Sequence, residues 1–150
     1  MAAPTDLDIL DRIRNIMRAF PGYSSANDLS EGGALTVLPS FIVAPLETSW
    51  DELGARRFLV TQAFEIIGIV SLITDMTLLD NRLASYRVAM PIARPWVSWL
   101  YAHPLLTLGN DGGLVQNVGA ISVGEIKGYT YRNVDYSSFR LLVPVTTYNS

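Results

Sequence analysis

The sequence predicts an α+β domain in which helices pack on one side of an antiparallel sheet of about four strands. Strand-like segments dominate the middle and the end of the chain, and helical patterns occur at its start and between the strands. The order helix, strand, strand, helix, strand, strand favours an antiparallel sheet over the βαβ order of parallel folds. We therefore expect residues 1–150 to form a single domain.

A long strand organises this fold. Residues 56–74 (RRFLVTQAFEIIGIVSLIT) are rich in β-branched and aromatic side chains, as strands are. Their alternation is mixed, which predicts one buried face and a second face that is partly covered. Residues 57–70 would extend roughly 45 Å as a strand. We therefore expect the strand to bend at a bulge, for which Gly68 is the expected position, or to project beyond the domain towards a neighbouring subunit.

A helix is predicted before the first strand. Apolar residues recur at helical spacing over residues 5–20, and Thr5 with Asp8 forms a capping-box pattern. The arginines of this segment are expected to lie on a solvated face. A polar, glycine-containing loop is predicted over residues 23–34.

Prolines set the predicted limits of the next strand. Residues 36–44 (TVLPSFIVA) have strand character, with Pro39 indicating an edge strand or a bulge. Residues 45–55, which contain Trp50, are predicted to form a turn and a loop. The long strand begins after this loop.

A second helix is predicted after the long strand, over residues 75–90. Pro91 is expected to end or kink it, and Pro95 to open a further helical turn that reaches His103. The predicted apolar stripe of this helix is Leu79, Leu83, Tyr86 and Met90.

Two strands are predicted near the end of the chain. Residues 115–127 form a strand pattern that Gly119 and Gly124 interrupt, and residues 137–147 alternate well between apolar and polar positions.

The composition narrows the classes of function. The absence of cysteine excludes disulfides, thiolate nucleophiles and thiolate metal sites, and a single histidine argues against His-rich metal sites. A net charge of −3 is atypical of a general nucleic-acid binder. Charged residues make up 17 % of the chain, against about 25 % in typical domains. This indicates self-association, and the alternative is a monomer that buries its apolar residues well. We predict neither a signal peptide nor a transmembrane helix, and therefore a cytosolic site of synthesis.

The candidate chemical groups favour structural roles. Glu65 in the apolar strand needs a cationic partner, for which Arg57, Arg82 and Arg140 are candidates. Asp75 is interpreted as a helix cap rather than as an acid–base partner of Asp80. Turn chemistry explains residues 110–113 (NDGG) better than calcium binding does, and strand packing is the expected role of Tyr129, Tyr131 and Tyr136. We predict no catalytic, cofactor-binding or metal-binding residue.

The layout as a whole resembles the tail terminator (tail completion) proteins of long-tailed bacteriophages. The resemblance rests on the N-terminal helix followed by TVLPSFIV, the strand RRFLVTQAFEIIGIV, the segment YRVAMPIARPWVSWLYAHPLL and the closing YSSFRLLVPV. It implies a structural virion protein of the tail and neck, assembled in the host cytoplasm, that forms a hexameric ring. The ring would cap the tail tube, stop its polymerisation and join the tail to the head connector or a head-completion protein. DNA would pass through the lumen without specific binding.

Three alternatives stay open. The chain could be another neck or head-completion protein, a small-molecule or sugar-binding domain that uses its tryptophans and tyrosines, or an enzyme that uses His103 with a carboxylate. For the ring, the expected interface residues are Trp50, Arg57, Leu59, Thr61, Ala63, Glu65, Trp96, Trp99 and Tyr131.

Overall fold

The computed structural model describes residues 4–72, 82–109 and 112–149, and within them it confirms the α+β class. The described part contains two α-helices, a short 3-10 turn over Ser25–Asn27 and one six-stranded antiparallel sheet. The predicted residues Asp75, Leu79, Asp80, Asn110 and Asp111 lie outside this part. The elements are α1 (Asp6–Arg18), β1 (Ser40–Gly54), β2 (Arg57–Leu72), α2 (Arg82–Tyr101), β3 (Asn117–Val118), β4 (Ser122–Val123), β5 (Lys127–Tyr131) and β6 (Val134–Asn149).

The sheet has more strands than predicted because one strand position is divided. β1, β2 and β6 lie side by side, and β3, β4 and β5 follow one another along the free edge of β6. The strand predicted over residues 115–127 is interrupted, as expected, near Gly119 and Gly124. The pairs that fix this edge are Val118 with Val145, Ser122 with Leu142, and Lys127 with Ser138.

One face of the sheet, the inner face, packs against both helices and forms the core. Alternate residues of β1, β2 and β6 point to this face, as the period of a strand requires. Trp96 of α2 lies at its centre and contacts Phe41 and Phe139 with ring centroids 6.2 and 5.0 Å apart. The buried residues of the cluster include Ile9, Ile13, Ile16, Phe41, Val43, Phe64, Ile66, Ala89, Ala93, Trp96, Leu100, Phe139, Leu141, Val143 and Val145.

The first helix follows its sequence pattern. The amide of Asp8 donates to Thr5 Oγ1 (3.1 Å), and the amide of Thr5 donates to Asp8 Oδ2 (2.9 Å), so the predicted capping box is present. The helix buries Ile9, Ile13 and Ile16 against the sheet. The predicted element is therefore confirmed, although it ends at Arg18.

The second helix differs from its prediction, because it continues through both prolines as far as Tyr101. A proline removes one backbone donor and leaves the carbonyl four residues earlier without a partner. Here those carbonyls belong to Arg87 and Pro91. Arg87, Pro91 and Pro95 are all exposed, so water can satisfy the freed carbonyls. The buried stripe contains Ala89, Ala93, Trp96 and Leu100, whereas the predicted stripe residue Tyr86 is 44 % exposed.

The first strand is also displaced from its prediction. It begins at Ser40, after the cis bond between Leu38 and Pro39, and it continues to Gly54. Residues 45–55 are therefore mostly strand, and the predicted loop around Trp50 is wrong. Ala55 and Arg56 then adopt positive φ values of 50° and 64°, as the tight turn of a two-stranded hairpin requires.

Gly68 does not form a bulge, and its lack of a side chain instead lets the Phe139 ring pack against the backbone. It lies between Phe41 and Phe139 in the sheet, and a Cβ atom placed on it would come within 2.3 Å of the Phe139 ring. The register shifts occur elsewhere, between Pro45 and Thr48 and between Glu52 and Gly54 on β1, and between Ile69 and Ser71 on β2. The predicted bulge position is thus wrong, but the long strand is confirmed over 16 residues.

Candidate subunit interface

The described residues contain no group of three or more His, Cys, Asp or Glu side chains that could hold a metal ion. His103 Nδ1 lies 2.7 Å from the carbonyl oxygen of Trp99, and the two rings pack with centroids 4.7 Å apart. His103 therefore closes the end of α2, and none of its hydrogen bonds within the described chain reaches a carboxylate.

A charge cluster ties α1 to the loop before β1. Asp28 Oδ2 accepts from Arg14 Nε (2.9 Å) and Arg18 Nη2 (2.6 Å). Burial alone would raise the pKa of Asp28, but hydrogen bonds from Ser30 and both arginines outweigh it and hold that pKa below its ordinary value. Arg14 is only 8 % exposed, so the predicted solvated arginine face is wrong at this position. The pairing crosses 14 residues of sequence and has no local signal.

Glu65 has the cationic partner that its position on the sheet demanded. Its Oε1 lies 2.6 Å from Arg140 Nη1, and the Glu65 side chain is 11 % exposed. Glu65 pairs with Leu142 on the neighbouring strand, and Arg140 is two residues from Leu142. Arg140 is therefore the diagonal neighbour of Glu65 on the same face of the sheet. The ion pair is confirmed as a structural contact on the outer face of the sheet, the face opposite the helices.

Two of the predicted interface residues, Trp96 and Trp99, form contacts inside their own chain. Trp96 is fully buried, and its Nε1 donates to Tyr23 Oη (3.1 Å). Trp99 Nε1 donates to the carbonyl oxygen of Ile16 (2.7 Å). Their assignment to an interface is therefore wrong for Trp96, and Trp99 joins α2 to α1.

Tyr131 also has an internal role. Its hydroxyl donates to the carbonyl oxygen of Gly33, which connects the β5–β6 hairpin to the loop before β1. The adjacent turn contains Arg132 and Asn133, both at positive φ. Tyr131 is half-buried by these contacts, so only part of its ring is open to a second molecule.

The remaining predicted residues belong to a projecting hairpin. We call residues 46–62 the arm; it is formed by the second half of β1 and the first half of β2. Its β1 half is almost entirely exposed, and it presents Leu46, Trp50 and Leu53 at 49, 59 and 54 % exposure. Arg57, Leu59 and Thr61 lie on its β2 half. A hairpin that exposes a tryptophan and two leucines has unused apolar surface.

An apolar groove lies on the outer face of the sheet at the base of the arm. Its volume is about 570 Å³, and Leu142, which is 40 % exposed, forms part of its floor. Ala63 lies in this groove, as its predicted place on the second face of β2 requires. The lining residues are Leu46, Glu47, Ala63, Ala120, Ser122, Leu142 and Pro144.

A second exposed surface escaped the sequence analysis. The exposed side of α2 has a groove of about 480 Å³, which we call the α2 groove. It combines apolar side chains with two arginines, and α2 contains no acidic residue. The signal was present in the sequence, but the helix was interpreted only by its apolar spacing. The lining residues are Tyr86, Arg87, Met90, Pro91, Arg94 and Pro95.

Comparison of the chain with protein-family models and with curated proteins finds no match. None of the helices in the described residues is long and apolar enough to span a membrane.

Proposed function

We propose that this chain is a structural protein that associates with copies of itself into a ring, and that the ring closes the end of a bacteriophage tail tube. The observation that carries the proposal is the arm, which exposes Trp50 and two leucines beyond the part of the sheet that the helices cover. Apolar surface of this kind is unfavourable when a monomer exposes it to water, and it can form a contact when copies assemble.

A ring is favoured over a two-fold dimer by the distribution of these surfaces. The arm and the α2 groove have no residue in common, and the outer groove shares only Leu46 and Glu47 with the arm. Contacts between different surfaces on successive copies are heterologous, and they generate a closed ring when the rotation between copies closes. The resemblance to tail terminators supports six copies.

The tail-capping role follows from the resemblance and agrees with the charge of the chain. A ring on the tube end would block further addition of tube subunits and present its other side to the head connector. A net charge of −3 per chain would disfavour retention of the phosphate backbone as DNA passes. The same role is compatible with a neighbouring position in the neck.

The sugar-binding alternative loses its main residues, because Trp96 is buried and the indole N–H groups of Trp96 and Trp99 are used inside the chain. We therefore do not propose it.

The test is imaging of the purified full chain by negative-stain electron microscopy, alone and with preassembled tail tubes. We expect closed rings with an axial hole, and rings at tube ends that stop tube growth. Tubes that elongate normally and carry no added density at their ends would contradict the tail-capping role.

A further inference from the structure

We propose that the arm of one copy docks in the α2 groove of the next copy. This inference deepens the proposed ring and rests on it, because the occupant of the groove is a second copy of this chain. It assigns the contact that would carry the assembly to two particular surfaces.

The arm offers an aromatic anchor with carboxylates beside it. Trp50 and Glu52 are two residues apart on β1 and stand opposite Val60 and Phe58, so both point to the same side of the arm. The β1 half of the arm contains three carboxylates, and within the described residues none of them forms an ion pair. They are Glu47, Asp51 and Glu52. Arg57, the nearest cation in β2, lies after the turn, at the arm's tip.

The α2 groove offers the complementary chemistry. Met90 and the two prolines form apolar walls, and Tyr86, which is 44 % exposed, forms one rim. Arg94 Nη2 touches Tyr86 Oη at 3.3 Å, and neither Arg87 nor Arg94 has an ion-pair partner in the part of the chain described. The acidic residue Glu125 lines an adjoining groove that shares Tyr86 and Met90.

These two surfaces complement one another in apolar character and in charge. A tryptophan side chain placed over Met90 and Pro91 would fill an apolar groove, as interface anchors do. Glu52, which lies on the same side of the arm as Trp50, would then lie near Arg87 and Arg94, and opposite charges that meet across a contact also exclude wrong partners. Two copies of the arm that met through this side would instead bring Glu52 against Glu52, so the charge favours the helix as the partner.

The arm cannot rotate as a hinged segment to fill the α2 groove of its own chain. Its two halves are paired along their length, and its β2 half is also paired with β6 over Phe58 to Gln62. The hairpin is therefore a fixed extension of the sheet. A second copy must approach it.

The test uses the absence of cysteine from the chain, so that introduced thiols are the only ones present. Ser49→Cys places a thiol on the arm, and Ser98→Cys places one on α2, one turn beyond Arg94; both serines are exposed. Ser49 lies on the other side of the strand from Trp50, so the double variant is treated under conditions of assembly with a long, flexible bismaleimide that can reach around the strand, and it is examined on a denaturing gel. The side chains of the proposed contact stay intact.

We expect a ladder of covalent oligomers from Ser49→Cys/Ser98→Cys, and at most dimers from each single variant. The comparison variant is Ser49→Cys/Ser122→Cys, whose second thiol lies in the outer groove. A ladder from this variant alone would place the arm in the outer groove and overturn the inference, and so would the absence of a ladder from both.

A charge exchange gives a second, independent measurement. Glu52→Arg and Arg94→Glu should each lower the assembled fraction by about tenfold or more, and their combination in one chain should restore most of it. Lys127→Glu, outside both surfaces, should leave assembly unchanged. Failure of the combined variant to recover would count against the contact.

The two levels of the account can fail separately. Rings seen by microscopy without a Ser49–Ser98 ladder would overturn the docking contact and leave the ring. A ladder without closed rings would keep the contact and overturn the ring.

Discussion

The same two strands behave differently at their two ends. Near the helices, β1 and β2 place Phe41, Val43 and Ile66 in a closed core with 0 to 3 % exposure. In the arm, Trp50 and Leu53 of β1 are more than half exposed, although the pairing with β2 continues. The comparison teaches that strand pairing and core formation are separate here: the arm has the hydrogen bonds of a sheet but no core cluster beneath it.

Element lengths explain the difference. The helices have 13 and 20 residues, which corresponds to about 20 and 30 Å. β2 has 16 residues, and such a strand extends about 50 Å. The helices cannot cover strands of this length, so one end of the sheet stays uncovered unless another molecule covers it.

The largest expected effect on the free energy of unfolding comes from replacing Trp96 by alanine, and the same replacement at Trp50 is the comparison. Trp96→Ala should lower the free energy of unfolding by about 3–5 kcal/mol, because it removes a fully buried side chain from the core. Trp50→Ala should change it by less than about 1 kcal/mol. Urea denaturation of both variants at a concentration where the chain is monomeric measures the difference. Similar losses for both would mean that the arm belongs to the folding core.

The next largest effect concerns the charge cluster that Asp28 forms with Arg14 and Arg18. Asp28→Asn should cost about 3 kcal/mol, because it leaves Arg14 buried without its main partner. The folded pKa of Asp28 is lowered, so its contribution is present above the unfolded value near pH 4 and is lost as the pH falls through the folded pKa. Urea denaturation from pH 6 to pH 3 should therefore show a smaller decline in the variant. An equal decline of the free energy of unfolding with pH in the two proteins would show that the Asp28 carboxylate does not stabilise the fold.

A smaller effect is expected at Gly68. Gly68→Ala places a Cβ within 2.3 Å of the Phe139 ring, and overpacking of this kind costs about 1–3 kcal/mol. Phe139→Leu in the same chain should recover part of the loss, since the ring that obstructs the new methyl group is gone. Thermal unfolding of the two single variants and the double variant measures the coupling, and purely additive effects would count against the contact.

The smallest effect on stability is expected at Ala63, and its effect on assembly tests whether a second copy also covers the outer groove. Ala63→Asp should change the free energy of unfolding by less than about 1 kcal/mol, because the residue is only half-buried on the outer face. A carboxylate in the apolar groove should nevertheless prevent assembly if a second copy covers this groove. Gln116→Asp, exposed and outside the groove, is the control. Rings like those of the unmodified chain would exclude the groove from the interface.

The sequence predicted the parts of the fold that have local signals. The capping box of Thr5, the strands β2 and β6, and the need of Glu65 for a partner could all be inferred from spacing and polarity. The arm could not, because a hairpin that buries neither face of its β1 half lacks alternation, and its residues LETSWDELG resemble a loop. The continuity of α2 depends on which side of the helix its prolines occupy, and this is set by packing on the sheet. The interface role of Trp96 failed for the same reason, since composition cannot tell a core indole from a surface one.

Sedimentation velocity on the unmodified chain and on Trp50→Ala, over a range of concentrations, tests the central claim most directly. The account predicts that the unmodified chain forms a species of several 16.5 kDa copies, whereas the variant stays a folded monomer. At concentrations where both proteins are monomeric, their denaturation midpoints should be equal. Assembly of the variant to the same species at the same concentrations, or an unmodified chain that remains a monomer even when mixed with tail tubes, would contradict it.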